Sequence, residues 1–372
     1  MESFVFTHAT NSIRLLFHSE AAAVRSNLRE NFSPQILPIN WRSIIQFENI
    51  PIGTSSTSDA EFSLEDITPD GIPAVRSMVG DVLLDIPYYL SHHKTKIQET
   101  VIKETNRIYR LWCENNPGFE CKGRVHILGH SLGSAIAMDI LSNQPTTLQP
   151  NLTGPIRTDI FEFDTKSFFA VGSPCGFFML LHRTNLIPRA GRRKTKDAEA
   201  GIAHDGVGRY GCPAVDNIYN IYHSCDPVAQ KLSPTVDSRY ASLLAPTIIP
   251  PLSASLFSTF SFRSLFPGSE TSPPQTTRQP SIIELSLHDF SRESIAENRF
   301  GMLNDYSQLD FVLEPQGVVE NQYLSMIGAH GSYWSSREFA RFLIIEIGRP
   351  EGREFCVESL RGVRKEESKK VA

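Results

Sequence analysis

One stretch constrains this chain more than any other. It runs Arg124-Val-His-Ile-Leu, then Gly129-His130-Ser131-Leu132-Gly133-Ser134, then Ala135-Ile-Ala-Met-Asp-Ile-Leu-Ser-Asn143. A short apolar run enters a serine flanked by glycines, and small and aliphatic residues leave it. That is the pattern of strand, sharp turn and helix. Such a turn crowds its own backbone, so the glycines two residues either side of the serine are read as relieving the clash. The hydroxyl then stands at the carboxyl end of a sheet, where α/β enzymes place their chemistry. Apolar strands are predicted at 167–172, 217–223 and 309–313, and Ile36 to Ile39 reads as a further short one. Ile97, Val101, Ile108, Leu111 and Trp112 predict a helix over 95–116, and another runs from Ser335 to Ile347. Strands alternating with helices predict an α/β fold, a mostly parallel sheet with helices on both faces.

A serine hydroxyl is a weak nucleophile until a base takes its proton, and the base needs an acid to orient it. In an α/β-hydrolase-like fold the chain order is serine, acid, histidine. Asp226 sits just past a strand, in His223-Ser-Cys-Asp226-Pro-Val228, whereas Asp164 precedes its strand and Asp310 starts one. His330, in Gly328-Ala-His330-Gly-Ser-Tyr-Trp334, lies between the last core strand and the final helix. His130 is read as turned away from its neighbour's hydroxyl. His182, His204 and His223 fall in the wrong order, and His288 lies at the edge of a low-complexity stretch. The expected site is Ser131 as nucleophile, His330 as base, Asp226 as orienting acid and the Leu132 N–H as oxyanion donor.

Several separate runs, in order, resemble the DDHD-domain intracellular phospholipase A1 family. They are Leu37-Pro-Ile-Asn-Trp-Arg-Ser, Asn106-Arg-Ile-Tyr-Arg-Leu with Asn116-Pro-Gly-Phe, and Ile127-Leu-Gly-His-Ser-Leu-Gly-Ser. Phe168-Phe-Ala-Val-Gly-Ser-Pro, Ile221-Tyr-His-Ser-Cys-Asp-Pro-Val-Ala, Leu309-Asp-Phe-Val-Leu and His330-Gly-Ser-Tyr-Trp complete them. The resemblance covers residues 30 to 347 outside two insertions, and the triad also resembles that of class 3 lipases. It implies acyl hydrolysis of glycerophospholipids, often phosphatidic acid, at cytosolic membrane faces. It also implies an HG-x-G segment upstream of the Leu37 run as a second oxyanion donor. This sequence has none, and Met1 falls just beyond where it is expected. The family name refers to residues once suspected of binding metal, here Asp226, Asp310 and His330. That reading would leave Ser131 without a base, so no cofactor is expected. Two further readings stay open: a lipid-binding or tethering protein that keeps the fold, and a metal-dependent phosphoesterase.

Composition bounds the partners. A net charge of −5 argues against a nucleic-acid binder. No run reaches the ~18 apolar residues of a membrane span, and the first 20 residues lack a signal-peptide pattern. The six cysteines show no CxxC pair, which points to a reducing compartment. The expectation is a cytoplasmic protein held peripherally on intracellular membranes, with no protein partner identifiable. One catalytic domain over 1–347 is expected, with a charged tail at 348–372 that frays. An exposed basic loop at 183–212 and a low-complexity insertion at 244–280 interrupt it. Arg189, Arg192, Arg193, Lys194 and Lys196 in the first, and Phe257, Phe260, Phe262 and Phe266 in the second, are the expected contacts to anionic lipids such as phosphatidic acid.

Overall fold

The computed structural model describes residues 2–24, 32–42, 44, 86–148, 152–195, 202–252, 286–314, 326 and 328–365. Among the described residues five strands form one parallel sheet: β1 (Val125–His130), β2 (Thr165–Val171), β3 (Val215–His223), β4 (Thr247–Ile248) and β5 (Asp310–Leu313). Their order is β1-β2-β3-β5-β4. In register, Ile127 lies opposite Phe168, Phe168 opposite Ile218, and Ile221 opposite Phe311. Both faces of the sheet are covered, so its central strands read as continuous apolar runs.

Side-chain alternation along the strands sorts the core into two layers. Phe168, Ala170 and Ile218 pack with α2 (Lys94–Asn115), α3 (Leu132–Asn143), α4 (Cys175–Leu181) and α5 (Ser286–Leu303). Phe169, Val171, Tyr219, Ile221 and Phe311 pack with α1 (Glu2–Val24) and α6 (Arg337–Gly348). Ser336 caps α6 by accepting from the Phe339 N–H, as serine does at an N-cap. Fully buried Glu20 of α1 accepts from Arg337 and Arg341 of α6 at 2.7–2.8 Å, which pins the two helices together.

The predicted strands and helices fall within three residues of those observed, with four differences. Residues 36–39 form no strand; the backbone there is irregular. The basic segment is not uniformly exposed: Arg183, Arg193 and Arg209 face solvent, Arg189 and Arg192 do not, and 196–201 lie outside the described residues. Arg189 is buried and donates to the carbonyls of Ser142, Gln144 and Cys212. Arg192 is buried between Asp164 (2.5 Å) and Asp216 (3.0 Å), Lys194 meets Asp305 at 3.2 Å, and Arg193 meets Glu351 at 3.4 Å. The acids come from distant parts of the chain, so local charge count mistook an internal ion-pair network for a surface patch. Lys196 and the four phenylalanines lie outside the described residues.

The low-complexity insertion also begins later than expected, because Thr247 and Ile248 pair with β5 and Leu244 is buried. Residues 348–365 of the segment expected to fray instead pack on the core, and 366–372 lie outside the described residues. Cys356, Val357 and Leu360 are buried, and Arg349 is held between Glu346 and Asp305 at 2.9 Å each. All six cysteines are free thiols. No helix among the described residues is long and apolar enough to cross a membrane.

Candidate active site

Ser131 stands between β1 and α3 with φ 51° and ψ −129°, a conformation that costs a non-glycine residue roughly 1–3 kcal/mol. The surroundings hold it there. The Ser131 N–H donates to Val171 O at 3.0 Å, extending the ladder past the strand end. The Ser134 hydroxyl donates to Ser131 O at 2.5 Å. With that proton committed, the 2.6 Å contact between Ser134 Oγ and Ser173 Oγ requires Ser173 to be the donor. Ser173 Oγ in turn accepts from the Cys175 N–H at 3.0 Å. This chain of hydroxyls carries the end of β2 and the start of α4 under the turn.

The two glycines of the turn differ. A Cβ on Gly129 would lie 2.6 Å from the Ser134 backbone, so this position requires glycine. A Cβ on Gly133 would meet nothing within 4 Å, so the expected relief of crowding is one-sided. Leu132 is the first residue of α3, and its N–H has no intrahelical acceptor. It points the positive end of the helix dipole at the serine.

Asp226 and His330 come together as the chain order predicts. His330 Nδ1 lies 3.0 Å from both carboxylate oxygens of Asp226. Asp226 Oδ1 also accepts from the Val228 N–H at 2.9 Å, and Oδ2 from the Tyr333 hydroxyl at 2.7 Å. Burial opposes ionisation of this carboxyl. His330, Tyr333 and Val228 outweigh it and hold Asp226 below the usual carboxylate range. Among the described residues no hydrogen bond joins Ser131 Oγ to His330 Nε2.

Three neighbours escaped the sequence reading. His130, set aside as a base, packs its ring 4.6 Å from that of His330, and its Nε2 donates to the His330 carbonyl at 2.7 Å. Burial and His330 push its imidazole down to about 4, so it stays neutral at physiological pH. Gly172 adopts φ +52° directly behind Asp226 and His330. Its signal was the Gly-Ser-Pro that ends the second predicted strand. Tyr333 had only its place three residues after His330.

The DDHD domain family model matches residues 161–272 and 269–348, together half of the chain. The chain belongs to the DDHD-domain family. The matched segments include Asp226 and His330 and leave Ser131 upstream. A probable mitochondrial phospholipase of Saccharomyces cerevisiae is 29% identical over 323 residues, 86% of this chain and 42% of that protein. An intracellular phospholipase A1 of Caenorhabditis elegans is 26% identical over 260 residues, 57% of this chain and 27% of that protein. A human triacylglycerol hydrolase of the family is 24% identical over 452 residues, 86% of this chain and 62% of that protein. The chain thus spans less than half the length of the yeast relative. No solved structure matches it.

The metal reading attached to the family name does not fit these side chains. Asp310 sits at the start of β5, where Oδ1 accepts from Asn220 Nδ2 and the Leu232 N–H at 2.8 Å and Oδ2 from the Ser233 N–H at 3.1 Å. It anchors the loop that follows Asp226, while Asp226 faces His330 and Tyr333. No group of three or more His, Cys, Asp or Glu side chains that could hold a metal ion occurs among the described residues.

Proposed function

We propose that this DDHD protein is a serine-dependent hydrolase of glycerophospholipid acyl esters, a phospholipase A1, acting at an intracellular membrane surface. The observation that carries the reading is the Asp226 carboxylate facing His330 Nδ1 with both oxygens at 3.0 Å, beside a serine held at φ 51°. In this mechanism His330 Nε2 takes the Ser131 proton as Oγ attacks the acyl carbonyl. The Leu132 N–H donates to the oxyanion. His330 then passes the proton to the departing glycerol oxygen, and Asp226 stays ionised beside the imidazolium. Water attacks the acyl-enzyme, giving up its proton to His330, which returns it to Ser131. The Oγ–Nε2 hydrogen bond is one that commonly tightens only in the substrate complex.

No step calls for a Lewis acid. The names of the relatives support a lipid ester as substrate and divide between phospholipid and triacylglycerol, so both are assayed. The basic loop gives a preference for phosphatidic acid less support than expected, since Arg192 and Lys194 are internally paired. The intracellular compartment is likewise a proposal: the yeast relative's name places that protein in mitochondria.

A fluorophosphonate probe tests the mechanism. The chain is expected to label covalently, Ser131→Ala to lose both labelling and turnover while staying folded, and EDTA to leave turnover unchanged. A labelled Ser131→Ala variant would remove the nucleophile. Turnover lost in EDTA and restored by a divalent ion would favour a metal-dependent phosphoesterase. Vesicle binding with neither labelling nor turnover would mark a lipid-binding protein.

A further inference from the structure

Asp226 receives three donors, and two of them, the Val228 N–H and the Tyr333 hydroxyl, have no part in proton transfer. Tyr333 is fully buried, and its hydroxyl makes two hydrogen bonds. It accepts from the His223 N–H at 2.9 Å and reaches Asp226 Oδ2 at 2.7 Å. A phenol has one proton, and the His223 amide can only donate, so the proton points at the carboxylate. Burial and the charge of Asp226 raise the Tyr333 hydroxyl far above its ordinary range, so the proton stays in place.

The terminal torsion of an aspartate is intrinsically broad. Here Val228 takes one oxygen and Tyr333 the other, so the carboxylate plane is fixed from both sides. His330 then meets both oxygens at equal distance. The same hydroxyl links the end of β3, through His223, to the segment that carries His330. Two stretches of chain, 223–228 and 330–333, are thus braced by one side chain.

We propose that Tyr333 is a positioning residue, whose hydroxyl fixes the rotation of the Asp226 carboxylate and through it the orientation of the His330 ring. The proposal rests on the serine-hydrolase reading above. Tyr333 touches no reacting atom, so its effect must pass through Asp226.

The test is Tyr333→Phe, which keeps the ring and removes one donor. Labelling by a soluble fluorophosphonate and kcat on a soluble short-chain ester should fall about tenfold, as for loss of a hydrogen bond to a charged group. KM should stay within about twofold, because no substrate contact is lost. The acid limb of the rate profile, set by protonation of the base, should move to higher pH, since a carboxylate relieved of one donor holds the imidazolium more strongly. In an Asp226→Asn background the same substitution should cost less than about twofold.

Full activity in Tyr333→Phe, or an equal loss in both backgrounds, would overturn the proposal. If Tyr333→Phe fails to fold, 2,3-difluorotyrosine at position 333 keeps ring and hydroxyl but donates more strongly. The acid limb should then move to lower pH, and an unmoved limb overturns the proposal. Ser131→Ala, run alongside, separates the two claims. A chain that never labels sinks the serine reading and this proposal with it. Labelling that needs Ser131 but ignores Tyr333 sinks the proposal alone.

Discussion

Gly172 follows β2 with φ +52°, and a Cβ there would lie 2.8 Å from Asp226 Oδ2, 2.9 Å from Tyr333 Cε2 and 3.3 Å from His330 Nδ1. Two penalties act on one methyl group: a backbone region that L-residues avoid and a collision with groups that cannot retreat. Gly172→Ala is therefore expected to lose at least about 100-fold in kcat, with a stability loss of about 1–3 kcal/mol. Gly133→Ala, whose Cβ meets open space, should keep the fold and its unfolding midpoint. Urea melts and ester turnover on the two variants decide it; a Gly172→Ala variant with wild-type kcat would show that the site tolerates displacement of Asp226. The contrast also marks what a string of letters conveys. Ser131 was legible because strand, turn and helix are local to it. The unequal duties of Gly129 and Gly133, and the presence of Gly172 in the site, depend on what lies across the fold.

Helices show the same division. The helix predicted over 95–116 is observed as α2, ended by Pro117 and Gly118, although its buried face runs Ile97, Ile102, Thr105, Asn106, Tyr109 and Cys113 and leaves Leu111 exposed. No element was read from the residues of α1. Its inward stripe runs Ile13, Phe17, Glu20 and Val24, and a glutamate at a core position interrupts the apolar signal. The explanation lies more than 300 residues away, in Arg337 and Arg341 of α6. Glu20→Gln would leave two guanidiniums against a neutral amide. It should lower unfolding free energy by about 3 kcal/mol, read as a shift in urea midpoint at constant slope. A shift below about 0.5 kcal/mol would show that α1 is held by its apolar contacts alone. Asp226 and His330 were legible for a different reason: Asp226 lies just beyond an apolar run and His330 between the last strand and the final helix, and parallel strands deliver their ends to one edge of the sheet.

For the whole molecule, the amino-end side of the sheet carries a buried ionic network rather than a basic surface. Burial opposes the charge of Asp305, but Lys194 and Arg349 outweigh it and bring its carboxyl to about 2. The folded value lies below the ordinary 3.8, so this stabilisation is complete above about pH 5 and is lost as pH falls toward 2. It amounts to about 2 kcal/mol. Asp305→Asn should lose stability at pH 7, since two buried cations keep only part of their counter-charge. Its unfolding free energy should also fall less steeply between pH 5 and 2. An unchanged acid slope would assign that pH dependence to other carboxylates. A final consequence follows from the hydrogen bond between His130 and His330, residues 200 apart in the chain. At roughly 5–20 residues per second, a ribosome makes the serine about 10–40 seconds before its base. Under the proposed serine mechanism, the nascent chain would carry its nucleophile over that interval with nothing to activate it.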